Sequence, residues 1–347
     1  MKKSILALMI ATSASSASAV ELFNDDTTTV ALGGYVGVVA ESTNSTTELN
    51  NSGSRVKMVF THALDGGWDI GARTEWALDA LANSSKDQIF TNRLGYITAD
   101  NGNVGNFTLG KAWSVYYDVA GATDMFWIYG GNTSGTYDGL SGDGGVHGTG
   151  RADDVIQYRN NFNGLQVGLQ YQFSDKPENS YQRDSGYQAM LGYDFDFGLG
   201  LSTAIAETKF DDREDAKVSI YGAKFEQDAF YAAVNYSIAN NHQLRDDYFK
   251  DDGDVVVDVN GAIKDVKSIE VFASYTIMDQ YQLLAGYNQL SDDNSSAELT
   301  NTTFGASYMT GPLTLSVEYV MDLSSKNGNG SDQKLDDVLG LQARYDF

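Results

Sequence analysis

Side chains able to run nucleophilic or acid–base chemistry are scarce in this chain. It has no cysteine and three histidines, His62, His147 and His242. Hydrolysis needs a base within hydrogen-bond reach of a nucleophile and a third group to orient it. The three histidines fall near a tight turn, in a long glycine-rich stretch and in a long acidic connection, so they are not expected to converge. No catalytic residue follows. A metal site is best sought between Asp246 and Lys267, where Asp258, Asn260 and Gly261 have the middle of a calcium-loop pattern. The first ligand of that pattern would fall on Val256 and the closing acid on Lys267, so the spacing fails and no metal or other cofactor is expected.

The richer chemistry is electrostatic. Lys111–Arg151 reads KAWSVYYDVAGATDMFWIYGGNTSGTYDGLSGDGGVHGTGR. It is too rich in glycine for a helix and too irregular for a strand. Its acids are Asp118, Asp124, Asp138 and Asp143, set among Trp113, Tyr116, Tyr117, Phe126, Trp127 and Tyr129. Disordered segments are poor in aromatics, so an ordered loop is expected. One reading packs residues 113–150 on their own aromatics at the surface. The other folds them into a cavity, which they narrow.

The flanking chain decides between the two. Leu165, Val167, Leu169, Tyr171 and Phe173 share one face of an extended segment, and Gln166, Gly168, Gln170 and Gln172 share the other. Such alternation means a strand with one apolar and one wet face. It recurs at Tyr187–Phe195, Ile269–Ile277 and Leu313–Tyr319, and closes the chain at Leu339–Phe347. Sixteen such segments alternate tight turns (Asp65–Gly67, Asn161–Gly164, Asp196–Gly198, Asp279–Gln280, Gly311–Pro312) with long polar connections. The long connections are 42–53, 81–88, 174–185, 210–216, 240–267, 291–298 and 324–335. Tyr and Phe cluster at segment ends on the apolar face. Together these features predict an all-β fold: a sixteen-stranded antiparallel transmembrane barrel, polar inside and girdled by aromatics. Lipid forbids an open edge, so the first strand (28–41) must pair with the last (336–347).

The bulk properties agree. Lys2 and Lys3, the apolar run Ile5–Ala11 and Ala17-Ser18-Ala19 read as a signal peptide over 1–19, leaving the barrel domain as 20–347. Loss of Lys2 and Lys3 would take the formal charge from -24 to -26. That balance argues against nucleic acid as a partner.

Gly105-Asn-Phe-Thr-Leu-Gly-Lys111, Val115-Tyr-Tyr-Asp118, Thr123-Asp-Met125, Gly130-Gly131 and Gly150-Arg151 with Tyr158-Arg-Asn160 resemble the constriction-loop region of the general diffusion porins of Gram-negative outer membranes. Tyr345 and Phe347 resemble the terminal signature read by the barrel-assembly machinery. The resemblance implies a homotrimer in the outer membrane, in contact with lipid and lipopolysaccharide, passing ions and small hydrophilic solutes by diffusion. It implies that the loop 113–150 folds inward as a constriction, with Arg55, Arg93 and Arg151 in an arginine cluster opposite Asp124. Alternation independently puts Arg55 and Arg151 on the wet face; Lys57 and Arg73 join them as candidates, and Asp118 joins Asp124. Two positions depart from the family pattern: Ile128 where a second acid is frequent, and Tyr35 where a lysine is. Both are expected to leave the constriction less charged and narrower. The excess of loop acids suggests a weak cation preference.

Overall fold

The alternating segments form strands wherever expected. The computed structural model describes residues 19–82, 89–131, 133–137, 140–178, 180–249, 252–258, 261–333 and 335–347. The proposed leader except Ala19, most of the connection 81–88, and Asp138 lie outside them. The first strands are β1 (Val20–Asn24), β2 (Thr28–Ser42), β3 (Thr47–Asn51), β4 (Arg55–Leu64), β5 (Trp68–Leu78), β6 (Phe90–Asn101) and β7 (Gly105–Trp113). After the long loop come β8 (Arg151–Phe162), β9 (Leu165–Gln172), β10 (Arg183–Asp194), β11 (Leu199–Phe210) and β12 (Ala216–Gln227). The last are β13 (Phe230–Asn240), β14 (Asp265–Ile277), β15 (Tyr281–Asp292), β16 (Glu298–Thr310), β17 (Leu313–Asp322) and β18 (Val338–Asp346).

These segments make a closed antiparallel barrel of sixteen strand positions. Two positions are composite. β3 and β4 lie end to end along one edge of β2, pairing Val38–Ser42 and Thr28–Tyr35 respectively. On the other edge β18 pairs Tyr35–Ser42, and β1 continues its line by pairing Thr29–Leu32. Phe347 and Gly34 exchange backbone hydrogen bonds of 2.8 and 3.0 Å at the join. The seam therefore closes as the rule against open edges requires. The expected loop 42–53 is shorter than alternation suggested, because residues 47–51 extend the sheet.

The outward face is the apolar one. Leu169, Leu191, Ile205, Leu283, Phe304 and Leu341 are all exposed there. Aromatic groups mark both ends of the strands: Tyr171, Phe173 and Tyr187 meet near the long loops, and Tyr193, Phe195 and Phe197 near a tight turn. The inward face departs from a uniformly polar lining. Met190, Ala204, Ala206, Val218 and Ile220 on β10–β12 point inward and are buried by Val115, Tyr116, Val119 and Ala120 of the long loop. An apolar patch inside an aqueous barrel is stable because the loop covers it.

Candidate functional site

Residues 114–150 enter the lumen and follow its wall. Their two legs meet at the neck, where Ser114 donates to Gly150 O through its N–H (2.9 Å) and to Thr149 O through its hydroxyl (2.8 Å). A single turn, α1 (Tyr117–Ala120), seats against β11 and β12. The loop then crosses β13 to β18. A backbone removed from water needs acceptors for its N–H groups, and two buried wall glutamates supply them. Glu270 of β14 accepts from Thr133 N (2.7 Å), Ser134 N (2.8 Å) and the Thr123 hydroxyl (2.6 Å). Glu318 of β17 accepts from Trp127 N (2.7 Å), Tyr129 N (2.8 Å) and Ile128 N (3.2 Å). Gln342 Nε2 donates to Trp127 O at 2.9 Å, and the Tyr129 hydroxyl donates to Glu41 at 3.0 Å.

Wall glycines make the close approach possible. A Cβ at Gly286 would lie 2.4 Å from the Phe126 ring, and one at Gly340 would lie 2.7 Å from the Tyr129 hydroxyl and 3.0 Å from Ile128 Cδ1. Ile128, placed by the sequence at the constriction, thus lies over β18 in the docked tip.

The cationic wall assembles on β4, β5 and β6. Lys57 sits directly across from Glu75, and Arg73 shares the Glu75 face. Three arginines converge on that one carboxylate: Arg73 at 2.5 Å, Arg93 at 3.0 Å and Arg55 at 3.7 Å. Arg93 is out of phase with an inward Tyr96, and alternation alone would aim it outward. A bulge between β5 and β6 opposite Glu75 and Trp76 adds the extra residue that turns it in. Tyr35 stands directly across from Arg55, whose Nη2 donates to the Tyr35 hydroxyl at 2.5 Å.

The other expected residues occupy two further places. Arg151 lies at the loop neck, its Cζ 5.4 Å from the Trp113 ring centroid, with Asp143 at 3.7 Å. Asp143 is also bound by Lys111 at 2.7 Å. Burial alone would raise the Asp143 carboxyl, but the Lys111 hydrogen bond and charge outweigh it and hold it below the usual carboxylate range. Asp124 receives hydrogen bonds from the Tyr117 and Tyr137 hydroxyls, each 2.9 Å. Burial pushes its carboxyl up, offset in part by those hydroxyls and by the Arg151 and Arg55 charges. Asp118 is elsewhere, held by Arg159 at 2.7 Å. The Tyr345 side chain faces outward on β18, and Phe347 contributes its backbone to the seam.

Two histidines do converge, contrary to the sequence expectation. The His147 and His242 rings meet edge to face at 4.4 Å, with Phe210 5.6 Å from His147. The loop brings residue 147 to the wall beside the 241–264 connection, a contact no local pattern encodes. Burial, then the Arg213 and Arg183 charges, holds the His147 pKa down at about 3 against an ordinary 6.5. The neutral form is therefore the one that fits. The stabilisation it gives is present above pH 6.5 and is lost as pH falls toward 3. Acidification from pH 7 to 4 is expected to speed intrinsic-rate-corrected amide exchange over 145–150, and His147→Phe to flatten that dependence. An unchanged profile in the variant would refute the assignment.

Sequence reading missed Glu75, Glu270, Glu318, Arg159 and Arg344 as site residues. Alternation does place Glu270, Glu318 and Arg344 on the inner face, which was the available signal.

Comparison with known proteins agrees with this architecture. The profile described as Gram-negative porin matches residues 5–327. Outer membrane porin N of Escherichia coli (strain K12) is 29% identical over 265 residues, spanning 70% of this chain and 67% of its own length. Outer membrane porin F of Salmonella typhi is 26% identical across all of both chains. The solved structure of Salmonella typhi OmpF, in complex with daunomycin, superposes with a TM-score of 0.79 at 21% identity, covering 94% of this chain and all of that one. Family match, barrel and inward loop lead to one conclusion: the chain belongs to the Gram-negative porin family, as an outer-membrane β-barrel that acts as a passive diffusion channel.

Proposed function

We propose that the channel admits small hydrophilic solutes through a constriction between the 113–150 loop and the wall formed by Arg55, Lys57, Arg73 and Arg93, and that it favours anions there. The carrying observation is an imbalance of free charge. Three wall arginines share the single carboxylate of Glu75, and Lys57 stands opposite it in the next strand. Glu270 and Glu318, on β14 and β17, lie buried beneath the loop, where its amides bind them, and not beside the arginines. Asp124 is partly screened by two tyrosyl hydroxyls. A local field of this kind selects by sign more strongly than the charge of distant outer loops, which salt screens within roughly 10 Å. This reverses the weak cation preference suggested by overall composition.

No bond is made or broken in this reading; the protein is a channel and not an enzyme. Family membership supports a homotrimer, export by a cleaved leader at 1–19, folding by the barrel-assembly machinery through the Tyr345–Phe347 end, and contact with lipopolysaccharide. The test is planar-bilayer current under a salt gradient. The expected result is stepwise conductance, closing in thirds at high voltage, with a reversal potential of anionic sign. A cationic reversal potential would overturn the selectivity. Silence from folded, heat-modifiable protein would overturn the open channel in favour of a plugged barrel.

A further inference from the structure

Tyr35 occupies a position that offers no formal charge, yet two guanidinium groups are built onto it. Arg55 comes from β4 on one side of β2: its Cζ lies 4.7 Å from the Tyr35 ring centroid, and its Nη2 donates to the phenolic oxygen at 2.5 Å. Arg344 comes from β18 on the other side, with its Cζ 3.7 Å from the same centroid. Arg344 also lies 5.5 Å from the ring of Trp127 in the loop tip. Arg55, Tyr35, Arg344 and Trp127 thus form one continuous stack. It joins the arginine wall to the docked loop across the seam of the barrel. Gly53, with φ of 63°, leaves room for it: a Cβ there would lie 3.2 Å from the Tyr35 hydroxyl and 3.3 Å from Arg55 Nη2. The Gly53 carbonyl accepts from Arg55 Nε at 3.1 Å.

A ring face stabilises a guanidinium through its quadrupole, and a phenolic oxygen does so as a neutral acceptor. Neither cancels the charge, as a carboxylate would. We infer that Tyr35 is a specificity-determining residue of the channel, a neutral clamp that fixes Arg55 and Arg344 at the constriction while leaving their positive charge available to a passing anion. The ligand class is small inorganic and organic anions. The inference rests on the anion-selective reading above. Arg344 is compensated by Asp346 at 2.5 Å, and Arg55 more weakly by Glu75, at 3.7 Å and shared with Arg73 and Arg93, so Arg55 keeps the larger share of available charge. An aliphatic residue at 35 would let the two side chains disperse into the lumen, and a phenylalanine would keep the stack and lose only the hydroxyl contact.

The experiment measures reversal potentials for wild type, Tyr35→Leu, Tyr35→Phe, Arg55→Gln and Arg93→Gln, each checked for heat-modifiable folding and stepwise conductance. Tyr35→Leu is expected to lower the anion-to-cation permeability ratio about two- to fivefold, with Tyr35→Phe retaining most of it. Arg55→Gln and Arg93→Gln are expected to lower it as well. If the arginine variants lower the ratio and Tyr35→Leu does not, the clamp is refuted and the cationic constriction stands. If neither arginine variant moves it, the constriction reading itself falls and the clamp falls with it. Equal loss in Tyr35→Phe and Tyr35→Leu would place the effect in the hydroxyl and refute the ring-based clamp.

Discussion

Channels carrying Glu318→Ala are expected to lose the fixed position of the loop tip and to admit larger solutes. The Glu318 carboxylate is fully buried and receives three consecutive backbone amides, from Trp127, Ile128 and Tyr129. Hydrogen bonds to a charged acceptor contribute roughly 1.5–3 kcal/mol each, and orphaned buried donors add a penalty. The tip keeps Gln342 on Trp127 O, Tyr129 on Glu41 and the Trp127 indole on Gln282 at 3.0 Å. A net loss of ~3–5 kcal/mol from the docked tip follows, which shifts a docking equilibrium by a factor on the order of 10²–10⁴. Liposome swelling with a graded sugar series is the direct measurement. The larger sugars should enter several times faster, and single-channel traces should become noisier. Glu318→Gln retains one acceptor oxygen and should fall between. A swelling profile and noise spectrum identical to wild type in the alanine variant would remove Glu318 as the latch.

Glu75→Gln should strengthen anion selectivity and weaken the barrel at once. Removing the one carboxylate among Arg55, Lys57, Arg73 and Arg93 adds a unit of net positive charge beside the lumen. At roughly 5–10 Å in a water-like dielectric that is worth about 0.5–1 kcal/mol on a passing monovalent ion, a two- to fivefold change in permeability ratio. The structural cost is larger. Glu75 is 2% exposed and ties β4, β5 and β6 through three arginines. Breaking such a buried network by removing one partner costs roughly 3–5 kcal/mol. The temperature at which the folded form loses its fast electrophoretic mobility should therefore fall. An unchanged permeability ratio together with unchanged thermal mobility would mean that Glu75 neither neutralises nor braces the arginines.

Much of the barrel is legible in the chain because a strand's period of two is local. Leu165–Phe173 declares its two faces without reference to anything else. The sixteen positions, the tight turns and the closure of 28–41 on 336–347 follow from the same pattern and from the ban on open edges in lipid. The site is less legible, for a different reason at each residue. Arg55 and Arg73 obey alternation. Arg93 does not, because a bulge, invisible to periodicity, re-aims it. Glu270 and Glu318 can be read as inward-facing, but their partners lie more than a hundred residues away in a loop with no period, so their role is set only by the fold. His147 and His242 meet for the same long-range reason. Residues 47–51 lack a clear apolar alternation and join the sheet through their pairing with β2.

The bare positions under the loop have a bearing on how this channel can change over generations. Gly286 and Gly340 carry no side chain where Phe126, Ile128 and Tyr129 press against the wall. A glycine codon is one base from codons for alanine, valine, serine, arginine and acidic residues. Any of these would press on the Phe126 ring, or on the Tyr129 and Ile128 side chains, and shift the loop's contacts while leaving the loop's own sequence intact. Aperture is thus encoded in the wall as much as in the loop. A population under pressure to exclude or admit a toxic solute has single-step routes to a different permeability at positions a comparison of loop sequences would pass over.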